Sequence, residues 1–283
     1  MKSTAVILFF GSILVSGNIT GADMDSHTEA KIENFKKSIG FDRLPPVTPS
    51  ASGIVVAWPN LWRLPGLGPD WQVLADTTWW EQAGGIRKQI LGRGNEKLVF
   101  NIFIAQGGEE SARNFLLDKV SQTTMAFINY VRGPSNLGTL SLVVSGHPVD
   151  SVAWYFSDGV FQIESYDTNV DILALAKSLQ SLAETRVAEV AKSHAPQPES
   201  IKVNTHSAPV GFTVTAEIKL GQDPTQYLVD LEFDKSQVNI LSQDGLEFAL
   251  QGLKPGKATI KAHLVDKRTL TSSTQTLEWV FTP

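Results

Sequence analysis

Leu98-Val99-Phe100-Asn101-Ile102-Phe103-Ile104-Ala105, followed by Gln106-Gly107-Gly108, decides how this chain is read. Both faces of the run are largely apolar, as in a strand covered on both sides. Beyond the glycines, Ala112, Phe115, Leu116 and Val120 recur at helical spacing, so the strand passes into a helix over about 109–124. Working outward, Gly53-Ile54-Val55-Val56-Ala57-Trp58 and Leu140-Ser141-Leu142-Val143-Val144 read as strands. Ser151 to Phe156 and Val160 to Ser165 flank Ser157-Asp158-Gly159, the Asp-Gly of a tight hairpin. Ile172, Leu175, Ala176, Leu179, Leu182 and Ala183 form the apolar stripe of a helix over about 170–185. Grouped strands with two separate helices predict an α+β domain over 53–185, an antiparallel sheet covered on one face.

Upstream, Met1-Lys2-Ser3-Thr4 precedes the uncharged run Ala5 to Val15, and Thr20-Gly21-Ala22 supplies small residues before Asp23. This is the pattern of a secretory signal over residues 1–22, and its run is too short for the roughly 20 residues that span a bilayer. No later segment approaches that length, so no stable membrane insertion is expected once the signal is cleaved. The sole glycosylation sequon, Asn18-Ile19-Thr20, falls inside the signal. Residues 23–52 then read as a short helix and a linker. Ser26-His27-Thr28-Glu29 is a capping box for a helix over 27–39, with Ile32, Phe35 and Ile39 on one face and Gly40 at its end. That stripe suits packing back on the body, or docking on a partner subunit. Leu44-Pro45-Pro46-Val47-Thr48-Pro49 is extended chain, because proline cannot continue a helix.

Downstream, residues 186–200, with Pro196 and Pro198, lose all periodicity and read as a second linker. Over 201–283 the alternation is that of half-buried strands: Val214, Ala216 and Ile218; Tyr227, Val229 and Leu231; Ala258, Ile260 and Ala262; Leu277, Trp279 and Phe281. Turn signals at Gly221-Gln222-Asp223-Pro224, Gln243-Asp244-Gly245 and Lys254-Pro255-Gly256 separate them, the signature of a small all-β sandwich. Gly252-Leu253-Lys254-Pro255-Gly256-Lys257-Ala258-Thr259-Ile260 resembles the turn-and-strand segment of bacterial Ig-like domains. The resemblance covers about residues 201–283 and implies an extracytoplasmic spacer or adhesion module without catalytic residues. The cysteines of antibody-type domains are missing, so it points to the disulfide-free relatives.

Composition excludes several chemistries. With 24 Lys plus Arg against 29 Asp plus Glu, the net charge of -5 leaves no basic footprint for nucleic acid. Zero cysteines remove a disulfide framework, thiolate metal sites, a cysteine nucleophile and a lipobox anchor. An exported chain without cysteine fits a bacterial periplasm or exterior. His27, His147, His194, His206 and His263 show no ligand spacing and read as solvated surface residues. Gly133-Pro134-Ser135-Asn136-Leu137-Gly138 lacks the spacing of a serine-hydrolase elbow. Asp167-Thr168-Asn169-Val170-Asp171 opens like a calcium loop but meets Ile172 where glycine is required, so it reads as a helix cap. No catalytic residue, metal site or cofactor is assigned.

Tryptophan is the unusual feature: Trp58, Trp62, Trp71, Trp79 and Trp80 crowd a segment that also holds Pro59, Pro65, Gly66, Gly68 and Pro69. Read as a loop, this segment either anchors the core or exposes indole faces that stack on sugar rings or grip a protein. Trp62, Trp79 and Trp80, with Arg63 as a polar partner, are the candidate ligand-binding residues. The expected function is that of an exported, non-enzymatic envelope or extracellular binding protein, its partner a cell-envelope glycan or protein. Two alternatives stand beside it. One is a glycan-directed enzyme using Asp70, Asp76 and Glu81, which would require two carboxyls converging in one cleft. The other is a structural subunit of a surface assembly.

Overall fold

The computed structural model describes residues 26–47, 50–58, 61–125, 130–144, 151–166, 168–189 and 191–283; the side chains of 26–29, 62, 121–125 and 191–192 are not described. The signal pattern, its sequon, His147 and Asp167 lie outside the described residues. The first element is α1 (Ser26–Ser38), and next comes the short strand β1 (Gly53–Ile54). Three long strands follow, β2 (Gln72–Glu81), β3 (Gly84–Arg93) and β4 (Glu96–Ala105), leading into α2 (Glu109–Met125). Then come β5 (Tyr130–Arg132), β6 (Leu140–Val144), β7 (Ser151–Phe156), β8 (Gly159–Tyr166), α3 (Ile172–Glu184) and β9 (Val187–Ala188). Strands β2 to β8 make one seven-stranded antiparallel sheet in the order β2-β3-β4-β8-β7-β6-β5.

The expected α+β domain, with two helices on one face of its sheet, is corrected by this architecture. Among the described residues the chain is mostly β, with seventeen strands in four sheets and three helices. One reason lies in the tryptophan-rich segment, whose second half is not a loop but the β2–β3 hairpin. Its two-residue turn, Gln82-Ala83, has φ of 47° and 67°. Both residues sit in the left-handed region that such a turn demands, without the Asn-Gly that would announce it. The other reason is that both faces of the sheet are covered. Alternation along β4 sends Phe100, Ile102 and Ile104 into a core with α3 and with Ile54, Trp58, Leu61, Leu64 and Trp71. Phe103 and Ala105 point the other way, into a second core with Phe115, Leu116 and Val120 of α2. Phe35 of α1 and Ile39 just after it are buried in that second core, so the apolar stripe packs on the body.

Residues 200–283 form β10 (Ser200–Val203), β11 (Ser207–Pro209), β12 (Thr213–Lys219), β13 (Tyr227–Phe233), β14 (Val238–Asp244), β15 (Glu247–Gly252), β16 (Gly256–Asp266) and β17 (Ser272–Thr282). They make two four-stranded sheets, β10-β12-β15-β14 and β11-β17-β16-β13, in which only β11 and β17 pair in parallel. One core, with Val214, Phe248, Leu250, Ile260, Leu264 and Trp279, lies between them.

The sandwich and the large sheet share a surface. Leu270, in the β16–β17 turn, is fully buried in the α3-side core of the large sheet. Gly85 of β3 allows that approach, since a Cβ there would lie 2.5 Å from the Leu270 carbonyl oxygen. The Trp58 N–H donates to the Arg268 carbonyl at 2.8 Å. The segment joining the two units is held at three places: β9 pairs with β1, Thr271 Oγ1 donates to the His194 carbonyl at 3.0 Å, and Ser273 Oγ donates to the Pro196 carbonyl.

Candidate functional site

Trp58, Trp71, Trp79 and Trp80 divide between packing and the domain junction. Trp58 and Trp71 are core residues, 4% and 3% exposed. Trp62 and Arg63 sit in the 3-10 turn Leu61–Arg63, where Leu61 is fully buried, its N–H donates 2.8 Å to Gln89 Oε1, and Arg63 is exposed. Trp79 and Trp80 are half-buried neighbours on β2, so strand alternation turns them to opposite faces. Trp79 packs on the α2-side core and donates its indole N–H to Glu81 Oε2 at 3.1 Å. Trp80 stacks on the His263 ring of the sandwich, centroids 4.3 Å apart and planes 9° apart. The two therefore form no single aromatic platform.

The three carboxylates weighed as an enzyme pair do not converge either. Asp76 takes two hydrogen bonds from Arg87, 2.8 Å from Nε and 2.5 Å from Nη2, and a third from Gln89 at 3.0 Å. Burial pushes this carboxyl up, but those bonds and the Arg87 charge outweigh it and hold it below the usual range. Arg87 also donates 2.5 Å to the Trp58 carbonyl, so the set clamps Trp58 and Leu61 to β3. Glu81, on the face opposite Asp76, is taken by Lys119 and by the Trp79 indole. Asp70 is exposed before β2. The helix-cap reading of Asp171 holds, since its Oδ1 accepts from the Ala174 N–H at 3.0 Å.

A cleft of about 570 Å³ opens where the C-terminal end of β4, the start of α2 and the start of β17 meet. Gln106, Gln197, Thr274 and Gln275 put amides and a hydroxyl on its wall. Glu109, Glu110 and Asp158 add carboxyls, and no Lys or Arg is among its described lining residues. Ser272 also belongs to this wall, 7% exposed, its Oγ without a hydrogen-bond partner among the described residues. Asp158, the hairpin residue, is 3% exposed and accepts the Ile54 N–H on Oδ1 at 2.8 Å. Burial pushes its carboxyl up to about 6, and the backbone bond only partly opposes this. Burial likewise pushes the Glu109 carboxyl up.

Behind the cleft wall lies a histidine that the sequence reading put on the surface. His263 is 4% exposed, which corrects that reading; His194 and His206 are exposed. Its Nδ1 lies 2.9 Å from Thr274 Oγ1 and its Nε2 lies 3.2 Å from Glu232 Oε2. Thr274 Oγ1 in turn donates to Gln106 Oε1 at 3.1 Å. A second polar cluster crosses the α2 face of the large sheet. Gln162 accepts from Asn101 at 3.1 Å and donates to Glu164 at 3.0 Å, and Tyr166 also donates to Glu164 at 3.0 Å. Burial pushes Glu164 up to about 7 against these bonds and the Lys88 charge, and burial pushes the Tyr130 hydroxyl up beside Ser151. Sequence periodicity hides both sets, because their members come from strands far apart in the chain. The one local hint was a polar residue such as Asn101 or Gln162 inside an apolar strand.

Among the described residues no helix is long and apolar enough to cross a membrane, and no group of three His, Cys, Asp or Glu is placed to hold a metal ion. No family model matches the chain, and no curated protein matches it. Among solved structures, a polysaccharide lyase is similar with a TM-score of 0.24 and 6% identity, over 73% of this chain and 35% of that one. The chain thus spans about a third of that protein's length, and a likeness at this score carries no argument about fold or function.

Proposed function

We propose that this chain is an exported, non-enzymatic binding protein of a bacterial envelope or exterior, and that its ligand site is the cleft between the large sheet and the sandwich. One observation carries the reading: walls of hydroxyls, amides and carboxyls from both units, without Lys or Arg among the described lining residues. Such walls repel anions and match a neutral, hydroxyl-rich ligand that exchanges many hydrogen bonds with water, the chemistry of an uncharged glycan. The signal pattern of residues 1–22 and the resemblance of 252–260 to bacterial Ig-like domains support the extracytoplasmic setting. Against the carboxylate-enzyme alternative stand Asp76 and Glu81, on opposite faces of β2 and each held in an ion pair.

The test is retention of the mature chain on neutral glycan arrays and isolated envelopes, beside Gln275→Ala and Gln197→Ala variants that trim the cleft wall. The expected result is retention by the wild type and a loss of about 3- to 10-fold per variant, the size of one hydrogen bond, with unchanged melting temperature. A wild type retained by no glycan or envelope fraction would overturn the glycan reading.

A further inference from the structure

Resting on the cleft as the ligand site, we infer that its hydrogen-bonding character is proton-linked: His263, a positioning residue behind the wall, acts through Thr274 to set whether Gln106 offers the cleft an N–H donor or a carbonyl acceptor. The argument is a count of hydrogens. Thr274 Oγ1 carries one, and it goes to Gln106 Oε1 at 3.1 Å, an atom that can only accept. With the Gln106 amide turned this way, the same hydroxyl accepts from His263 Nδ1, 2.9 Å away. The other ring nitrogen faces the Glu232 carboxylate at 3.2 Å, which also only accepts. Both ring nitrogens then donate, so this arrangement belongs to the imidazolium.

When the ring gives its Nδ1 proton to solvent, Nδ1 becomes an acceptor and Nε2–H stays on Glu232. Thr274 now donates to Nδ1, and Gln106 loses the donor on its Oε1. Turning the amide over lets Gln106 Nε2 donate to Thr274 Oγ1 and brings Oε1 to the cleft. Gln106 is exposed. The two arrangements differ by one proton and are both fully hydrogen-bonded. The cleft thus meets ligand acceptor oxygens with an N–H on the acid side of the ring's titration, and ligand hydroxyl or amide donors with a carbonyl on the alkaline side.

The ring's surroundings are mixed in charge. From β13 come Asp230, directly opposite His263 in the ladder, and Glu232, whose other oxygen is held by Lys261 of β16 at 2.8 Å. The strand β17 contributes uncharged Thr274, and β2 contributes the Trp80 face, on which either ring form can stack and the imidazolium gains cation–π attraction. The cleft carboxyls Asp158, Glu109 and Glu110 lie on Gln106's side of the relay.

The test uses the ligand-free full chain. Nitrogen NMR follows the His263 ring and the Gln106 side-chain amide through a pH series. In the wild type the Gln106 amide is expected to move with the ring's midpoint. In Thr274→Val the ring still titrates but the Gln106 movement is lost, and in His263→Gln it is lost as well. Thr274→Val leaves Asp158 in place, so any movement that Asp158 causes survives in that variant and is told apart. A Gln106 amide that ignores the ring's midpoint in the wild type, or follows it undiminished in Thr274→Val, overturns the proposal. Retention on neutral glycans is a separate readout: its absence beside an intact relay refutes the glycan reading alone.

Discussion

Glu164 shows what a single buried carboxyl does to a whole fold. It is 6% exposed on the α2 face of the sheet, and burial pushes it from 4.5 to about 7. The folded protein then holds a proton that the unfolded chain has released, so folding is favoured below about pH 4.5 and that stability is lost as the pH rises toward 7. The difference is roughly 3 kcal/mol at about 1.4 kcal/mol per unit. Glu164→Gln keeps the shape and removes the titration. Above about pH 6, beyond the interval of Asp158, the variant's urea midpoint should change little while the wild type's continues to fall toward pH 7. Asp158, pushed from 3.8 to about 6, adds a loss of the same sign over a lower interval, which the variant retains. A wild-type midpoint that rises with pH would contradict the placement of both groups.

At the scale of elements, the β2–β3 hairpin is the one whose sequence works against its geometry. Gln82 and Ala83 both take positive φ, which costs a residue with a side chain about 1 kcal/mol relative to glycine. The hairpin forms regardless, because its strands are fixed by tertiary contacts: Arg87 on Asp76 and Trp58, Gln89 on Leu61, and Trp79 in the α2-side core. Replacing Gln82-Ala83 by Asn-Gly should raise stability by about 1 kcal/mol in thermal unfolding and leave ligand retention unchanged. A destabilised variant would argue that the turn has another geometry. By contrast α3 is locally consistent, from the Asp171 cap to its Leu175, Ala176, Leu179 and Ala183 stripe, and its reading as a helix held.

For the whole molecule, the decisive residue is Leu270, which belongs to the sandwich by sequence and to the large sheet by packing. Truncating it removes apolar contacts from the α3-side core, to which Trp58 and Phe161 also belong, and leaves a cavity there. Leu270→Ala should cost about 2–5 kcal/mol in urea unfolding followed by tryptophan fluorescence. Because the turn also carries the Arg268 carbonyl that holds Trp58, the loss should fall on the large sheet although the substitution lies in the sandwich. An unfolding curve indistinguishable from wild type would mean that the two units are not docked as described.

What the sequence by itself determined is what short-range periodicity and local chemistry encode. The alternation in Val214, Ala216 and Ile218 sets the inward face of β12, the spacing of Phe35 and Ile39 sets the buried side of α1 and its end, and Asp171 caps α3 within one turn of chain. The tertiary structure alone decided the rest. Trp80 and His263 are 183 residues apart in the numbering, and Gln106 and Thr274 are 168 apart, so no local pattern signals that they meet. Nor does anything in Gln82-Ala83 forecast a tight turn, since its φ values are imposed by strands that the distant core holds in register. Asp158 lies in a hairpin that the sequence marks, yet its burial and raised carboxyl arise only when Ile54 folds back across it. Hydrophobic faces repeat along a chain and can be read from it; a polar site depends on donors and acceptors from separate strands converging, and only the folded chain fixes that convergence.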